Sequence, residues 1–301
     1  MFLNTKINNN NIKNFSGVLL VIPLILNVYY YGFESELISS FIYAVLFIMF
    51  GFVDDLVEFN ILEKMLMLII LSISYIYNTD IIDNIYLNYS YSIHLGQIPG
   101  FIFTLLCFLL LLNATNYIDG IDGLLLTISI ISIIFIFILI SLKYSFFFIT
   151  FIVFLFFLLL LNVKAISFLP KLILGDAGSL GIGFILSFIL IFFTQNERIL
   201  NESAAIWGVS FIVYEFLTIN IIRIIYKKNI FKRDLNFIFN LLKNDYGLIK
   251  TLIICNLINI FFCLIGLFIF FTKLHLLSYI LFILFFFIYL SIRLRLNSIA
   301  K

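Results

Sequence analysis

Four stretches of this sequence carry residue types that do chemistry. The first is G-F-V-D-D, residues 51–55, where two adjacent carboxylates close an apolar run. At the centre of a membrane helix each charge would cost about 2.5–3.5 kcal/mol, so Asp54 and Asp55 belong at an interface or against a cation. One acid would be enough to end a span at the water surface. Two together suit Mg²⁺ binding or proton abstraction. The second stretch is N-A-T-N-Y-I-D-G-I-D-G, residues 113–123, which sets Asn113, Asn116, Asp119 and Asp122 at every third position. On a helix, residues three apart are neighbours, so this spacing predicts one polar stripe. Gly120 would let the backbone approach a ligand closely. An ordinary turn needs Gly and Asp but not this periodic set.

The third stretch, G-D-A-G-S-L-G-I-G-F at 175–184, places Asp176 among small residues just before an apolar run. A carboxylate there could hold a cation beside phosphates, and a helix start favours an anion. The glycines alone serve helix packing equally well. The fourth stretch, from Arg223 to Lys243, is the most basic segment of the chain and suits an anionic substrate or anionic lipid headgroups. Glu215 lies inside the preceding apolar run, with Arg223 two turns on as its candidate partner.

The elements that must position these groups are membrane helices. Hydrophobic residues make up 64% of the chain and charged residues only 11%, with mean hydropathy +1.21. That composition predicts an all-α, polytopic integral membrane protein and excludes a soluble domain. The apolar runs lack the alternation of a membrane barrel. Ten candidate spans cover roughly 15–33, 37–53, 64–78, 98–112, 123–142, 145–161, 180–195, 203–224, 248–271 and 275–294. Several are shorter than the ~20 residues a straight span needs, and the third is the weakest and suits a re-entrant segment. The first run lacks a small-residue cleavage site and reads as a retained span. No internal repeat or linker divides residues 1–301, which read as one domain.

Ten spans put both termini on one side. All of the 18 Lys and Arg residues except Lys143, Arg198 and Lys273 then share that side, which predicts cytoplasmic termini. Asp54, Asp55, Glu58, Glu63, Asp119, Asp122, Asp176, Asp234 and Asp245 fall there as well, so the chemistry is expected in a cleft at the cytoplasmic face. Cys107, Cys255 and Cys263 lie within apolar runs and read as small hydrophobes. His94 and His275 are far apart in sequence, which argues against a histidine metal centre. A net charge of +2 suggests no nucleic acid partner.

Taken together, the three acid-bearing motifs resemble the polyprenyl-phosphate N-acetylhexosamine-1-phosphate transferases, the superfamily that includes the phospho-MurNAc-pentapeptide transferases. G-F-V-D-D, N-A-T-N-Y-I-D-G-I-D-G and G-D-A-G-S-L-G-I-G occur in the family's order, and Ser16-Gly17 is similar to a paired glycine before the first span. The resemblance covers about residues 14–250. It implies transfer of a sugar 1-phosphate from a UDP-N-acetylhexosamine to polyprenyl (undecaprenyl) phosphate, with Mg²⁺ required and UMP released. Such a reaction would initiate a lipid-linked surface glycan of the O-antigen or lipopolysaccharide kind in the cell membrane. It further implies Asp54 as proton acceptor, Asp55 as its electrostatic neighbour and Asp176 as the Mg²⁺ ligand. Asp119 and Asp122 join the catalytic set. Asn113, Asn116, Gly120, Lys64, Asn162 and Arg223 join the substrate-binding set, and a homodimer is left open. The family's histidine cluster is absent, because its positions hold Phe237, Phe239 and Asn240. That departure opens a second reading, a relative that binds without turnover. A transporter, the third reading, wants ionisable residues on both leaflets, whereas these acids cluster on one face.

Overall fold

The computed structural model describes residues 16–32, 37–79, 81–88, 91–140, 142–166, 168–228 and 236–299. Lys6, Lys13, Lys232, Arg233, Asp234 and Lys301, weighed above for their charge, lie outside these residues. A 3₁₀ turn (Ser16–Leu20) leads into α1 (Val21–Tyr31). Then come α2 (Ile38–Val57), α3 (Ile61–Tyr77), α4 (Gln97–Ile118), α5 (Leu124–Leu139) and α6 (Ser145–Asn162). α7 (Gly175–Ile191) continues into a π-helical turn (Phe192–Asn196), and α8 (Glu202–Ala205) joins α9 (Ser210–Ile225) through a 3₁₀ turn. α10 (Ile238–Tyr246), α11 (Leu248–Thr272) and α12 (His275–Ile299) complete the order.

Every one of the ten apolar runs holds a helix, and the protein is a multi-pass, all-α membrane protein. Seven helical segments among the described residues are long and apolar enough to cross a membrane: 38–57, 97–118, 142–162, 175–196, 202–225, 248–272 and 275–296. Ser16–Tyr31 and Leu124–Leu139 are apolar but shorter. α3, 17 residues long and carrying Glu63 and Lys64 in its first turn, belongs to neither group. Two elements went unanticipated. A hairpin pairs β1 (Asn84–Asn88) with β2 (Tyr91–His94), Ile85 facing Ile93. Its exposed second strand shows no apolar face for a sequence pattern to reveal. The basic segment contains α10, whose only fully buried residues are Ile238 and Phe239.

α7 is the axis of the bundle, buried along nearly its whole length. Its Gly, Ala and Ser residues let neighbouring backbones come close, which is how helices associate where water gives no driving force. α2 and α4 make the broadest contacts with it. At Gly51 on α2, a Cβ would lie 2.4 Å from the Asp176 carbonyl oxygen and 2.6 Å from Ala177 Cα. The seventh span therefore starts at Gly175 rather than 180, and Asp176 sits in its first turn. Close packing of Gly51 on Asp176 sets the distance between the first and third acidic motifs.

Candidate active site

α2 ends just past its two acids. Glu58 takes a left-handed conformation (φ 55°) and its N–H bonds the Asp54 carbonyl oxygen, while Phe59 N–H donates to Asp54 Oδ1 at 3.0 Å. The chain reverses there and re-enters a helix through a capping box. Asn60 Oδ1 accepts from Glu63 N–H (3.0 Å), and Glu63 Oε2 accepts from Asn60 N–H (3.1 Å). The first turn of α3 thus carries Lys64 back over Asp54.

Lys64 Nζ lies 2.7 Å from Asp54 Oδ2 and 2.8 Å from Asp176 Oδ2. Asp54 is nearly buried, at 4% exposure, whereas Asp176 is 28% exposed and opens the group to solvent. Burial works against a charged Lys64, but Asp176 and Asp54 outweigh it and raise the ammonium above the ordinary lysine value. From α4, the Asn116 amide donates to Asp176 Oδ1 and to Ser179 Oγ, the latter at 3.0 Å. Four helices therefore contribute to one cluster of two carboxylates, an ammonium, an amide and a hydroxyl.

Asp55 has a different job from its neighbour. Its Oδ1 and Oδ2 accept the backbone N–H groups of Asp176 (2.9 Å) and Ala177 (3.1 Å). It caps the first turn of α7 from another helix, satisfying donors that turn cannot satisfy itself. Adjacent acids on one helix thus diverge: Asp54 faces Lys64, and Asp55 holds the Asp176 backbone.

The stripe expected over 113–122 breaks at Asp119. α4 stops at Ile118, Asp119 caps it, and residues through Gly123 (φ 79°) form a turn. Asn113 sits one turn before Asn116, half-buried, with its amide bonded back to the Leu109 carbonyl. Asp122 leaves the line altogether to pair with Lys171 (2.6 Å) from the segment before α7. Asn162 is buried and holds that turn in place. Its Oδ1 accepts Gly123 N–H at 2.6 Å and its Nδ2 donates to the Leu172 carbonyl at 2.9 Å. These bonds make Asn162 a positioning residue for the turn.

Gly120 is approached, as expected of it, but by the protein itself. A Cβ there would lie 2.4 Å from Phe239 Cε2. Phe239 stacks on Phe237 (centroids 5.0 Å), and Phe237 meets Tyr117 edge-on (5.8 Å). The Arg223 guanidinium lies over both Tyr117 (5.4 Å) and Phe237 (5.6 Å). The pairing of Glu215 with Arg223 needs correction: the Glu215 carboxylate is held by Arg293 of α12, with Nε–Oε2 and Nη2–Oε1 distances of 3.2 Å each. Helical spacing showed Arg223 as near in sequence, but only packing brings α12 against α9. Lys171 and Arg293 lie in none of the three acidic motifs, and Ser179, inside the third, was not singled out there. The three cysteines are free, two of them buried.

The donor set suits Mg²⁺. Two carboxylate oxygens converge on one positive charge, as a cation site requires. No group of three or more His, Cys, Asp or Glu ligands exists among the described residues. Mg²⁺ is commonly held by one or two carboxylates plus substrate phosphates and water rather than by a full protein cage.

Fold and site together define a multi-pass membrane protein with a cluster of acids and a cation at one end of its helical bundle. The chain belongs to glycosyl transferase family 4, whose family model matches residues 37–194, more than half of the sequence. The match takes in all three acidic motifs and ends before the basic segment, so it is narrower than the 14–250 read from the motifs. No curated protein matches the chain. The family makes this a membrane-embedded transferase acting on a lipid substrate, of the polyprenyl-phosphate sugar-1-phosphate kind.

Proposed function

We propose that the chain transfers an N-acetylhexosamine 1-phosphate from a UDP-sugar to polyprenyl phosphate at the cytoplasmic face of the cell membrane, starting a lipid-linked surface glycan. The observation that carries this reading is the Lys64 ammonium bridging Asp54 and Asp176, with Asn116 alongside, inside the family-matched segment. An oxygen of the lipid phosphate would attack the β-phosphorus, which bears the sugar. The bond from that phosphorus to the bridging oxygen breaks, and UMP leaves with the oxygen.

Anion attacks anion in this step, so charge compensation and positioning are the main requirements. Lys64 supplies one fixed positive charge. Asp54 would take a remaining proton from the lipid phosphate. Asp176 would hold Mg²⁺ beside Asp54, and the ion would supply charge stabilisation to the diphosphate when bound. Lys227 and Lys228, exposed just after the buried Arg223, would meet the donor phosphates, and the 119–123 turn, which follows Asn116 by one helical turn, would receive the nucleotide.

The test is UMP release by purified protein given polyprenyl phosphate, Mg²⁺ and a panel of UDP-N-acetylhexosamines. Turnover that needs Mg²⁺ and one donor is the expected result. Folded protein that binds UDP-sugar yet releases no UMP across the panel would overturn it in favour of a binding role.

A further inference from the structure

The fully buried Glu215 does more than neutralise Arg293. Its Oε1 accepts the backbone N–H of Ile238 at 2.7 Å, the first residue of α10. Arg293 Nη2 donates at the same time to the Asn236 carbonyl oxygen. Tyr289 Oη, one turn earlier on α12, donates to Glu215 Oε2 at 2.7 Å. One ion pair therefore grips the peptide run Asn236–Ile238 through both a carbonyl and an N–H. Within and just after that run, Phe237 meets Tyr117 at the end of α4 and Phe239 lies against Gly120 of the turn.

We infer that the Glu215–Arg293 pair is a positioning clamp, through which α12 sets Phe237 and the start of α10 against the end of α4 and the 119–123 turn, where the donor would bind. The inference rests on the transferase reading above, and both clamp residues lie outside the family-matched segment. A pair meant only to join α9 to α12 would need no backbone partners. Those two helices already have such a link in the Tyr214 Oη bond to the Phe282 carbonyl (2.6 Å), which involves no residue of α10.

That second link is the control. The full-length protein in lipid nanodiscs would carry Glu215→Leu with Arg293→Met, which exchanges the pair for apolar side chains so that no buried charge is orphaned. Arg293→Lys, which keeps the charge but cannot reach both Glu215 and Asn236, is the milder variant should the double one not fold. Tyr214→Phe breaks only the α9–α12 link. Amide hydrogen exchange over 236–246 and steady-state UMP release are the readouts. In the double variant, exchange at 236–246 should quicken about tenfold and the KM for the UDP-sugar should rise about tenfold, with kcat within about twofold. Arg293→Lys should move both in the same direction by less, and Tyr214→Phe should move neither. Unchanged exchange and KM in a folded clamp variant would overturn the inference. An equal shift from Tyr214→Phe would reduce the pair to ordinary packing and overturn it too. If wild-type protein releases no UMP, the transferase reading falls, while the exchange arm still decides whether the pair tethers α10.

Discussion

Two carboxylate–cation clusters in this bundle use nearly the same parts in opposite ways. Asp54, Lys64 and Asp176 meet where helices end, and 20% of Lys64 and 28% of Asp176 remain exposed. Glu215 and Arg293 meet between helices with no exposure at all. In the sealed cluster both carboxylate oxygens are occupied by Arg293, Tyr289 and Ile238 N–H, so the carboxylate is fully engaged. The open cluster points two carboxylates at one flexible ammonium on the edge of solvent. Lysine is a point charge on a mobile stem, whereas arginine is a rigid fork suited to fixed bidentate bonds. Burial and the choice of cation thus separate a site that can exchange partners from one that holds a backbone in place.

The sharpest way to break the comparison is to orphan a charge in the sealed cluster. Glu215→Ala should destabilise the protein by about 3–5 kcal/mol, because Arg293 is left buried without its anion. A thermal unfolding midpoint equal to that of the wild type would contradict the burial argument. The open cluster should respond in rate instead. Asp176→Asn should lower UMP release by about 10²–10³-fold at little cost to the unfolding midpoint. If that variant unfolded early and kept its turnover, the two roles would be reversed. Next in size is the contact that spaces the motifs. Gly51→Ala pushes a methyl onto the Asp176 carbonyl and should cost about 1–3 kcal/mol, with turnover falling as Asp54 and Asp176 separate.

Lys64→Met probes the cation itself. Turnover should fall about tenfold, a loss of about 1.4 kcal/mol in barrier terms, while half-saturating Mg²⁺ decreases because no ammonium competes for the two carboxylates. An unchanged Mg²⁺ requirement would place the metal elsewhere. The smallest effect belongs to the cap that aims Lys64. Asn60→Ala should cost about 1 kcal/mol of stability and weaken turnover less than Lys64→Met does. A larger rate loss than that of Lys64→Met would mean Asn60 acts directly.

The polar motifs were legible because each acid in an apolar chain needs a reason, and the shared order of three of them pointed to a family. Asp54 and Asp176 met as expected. Asp55, chosen from the same motif as Asp54, binds backbone at the start of α7, and Asn162, named only through the family resemblance, binds backbone at the 119–123 turn. Residue type shows that a carboxylate or amide must be satisfied, but not by which partner. Gly120 was read as room for a ligand, and on its Cβ side Phe239 packs against it while the residue stays exposed.

What the sequence determined by itself is the class of the molecule. Apolar runs long enough for helices, with every acid of the three motifs gathered at their ends and Glu215 the exception inside a run, call for a bilayer as solvent and helix as backbone. The apolar runs also located the helices, since a helix satisfies its hydrogen bonds within one run. What only the tertiary structure decided is which charged groups face each other across helices: Lys64 with two aspartates, Asp122 with Lys171, and Glu215 with Arg293 rather than Arg223. Those choices depend on how closely helices approach, through contacts such as Gly51 on Asp176, and such distances are set by packing between residues far apart in the chain.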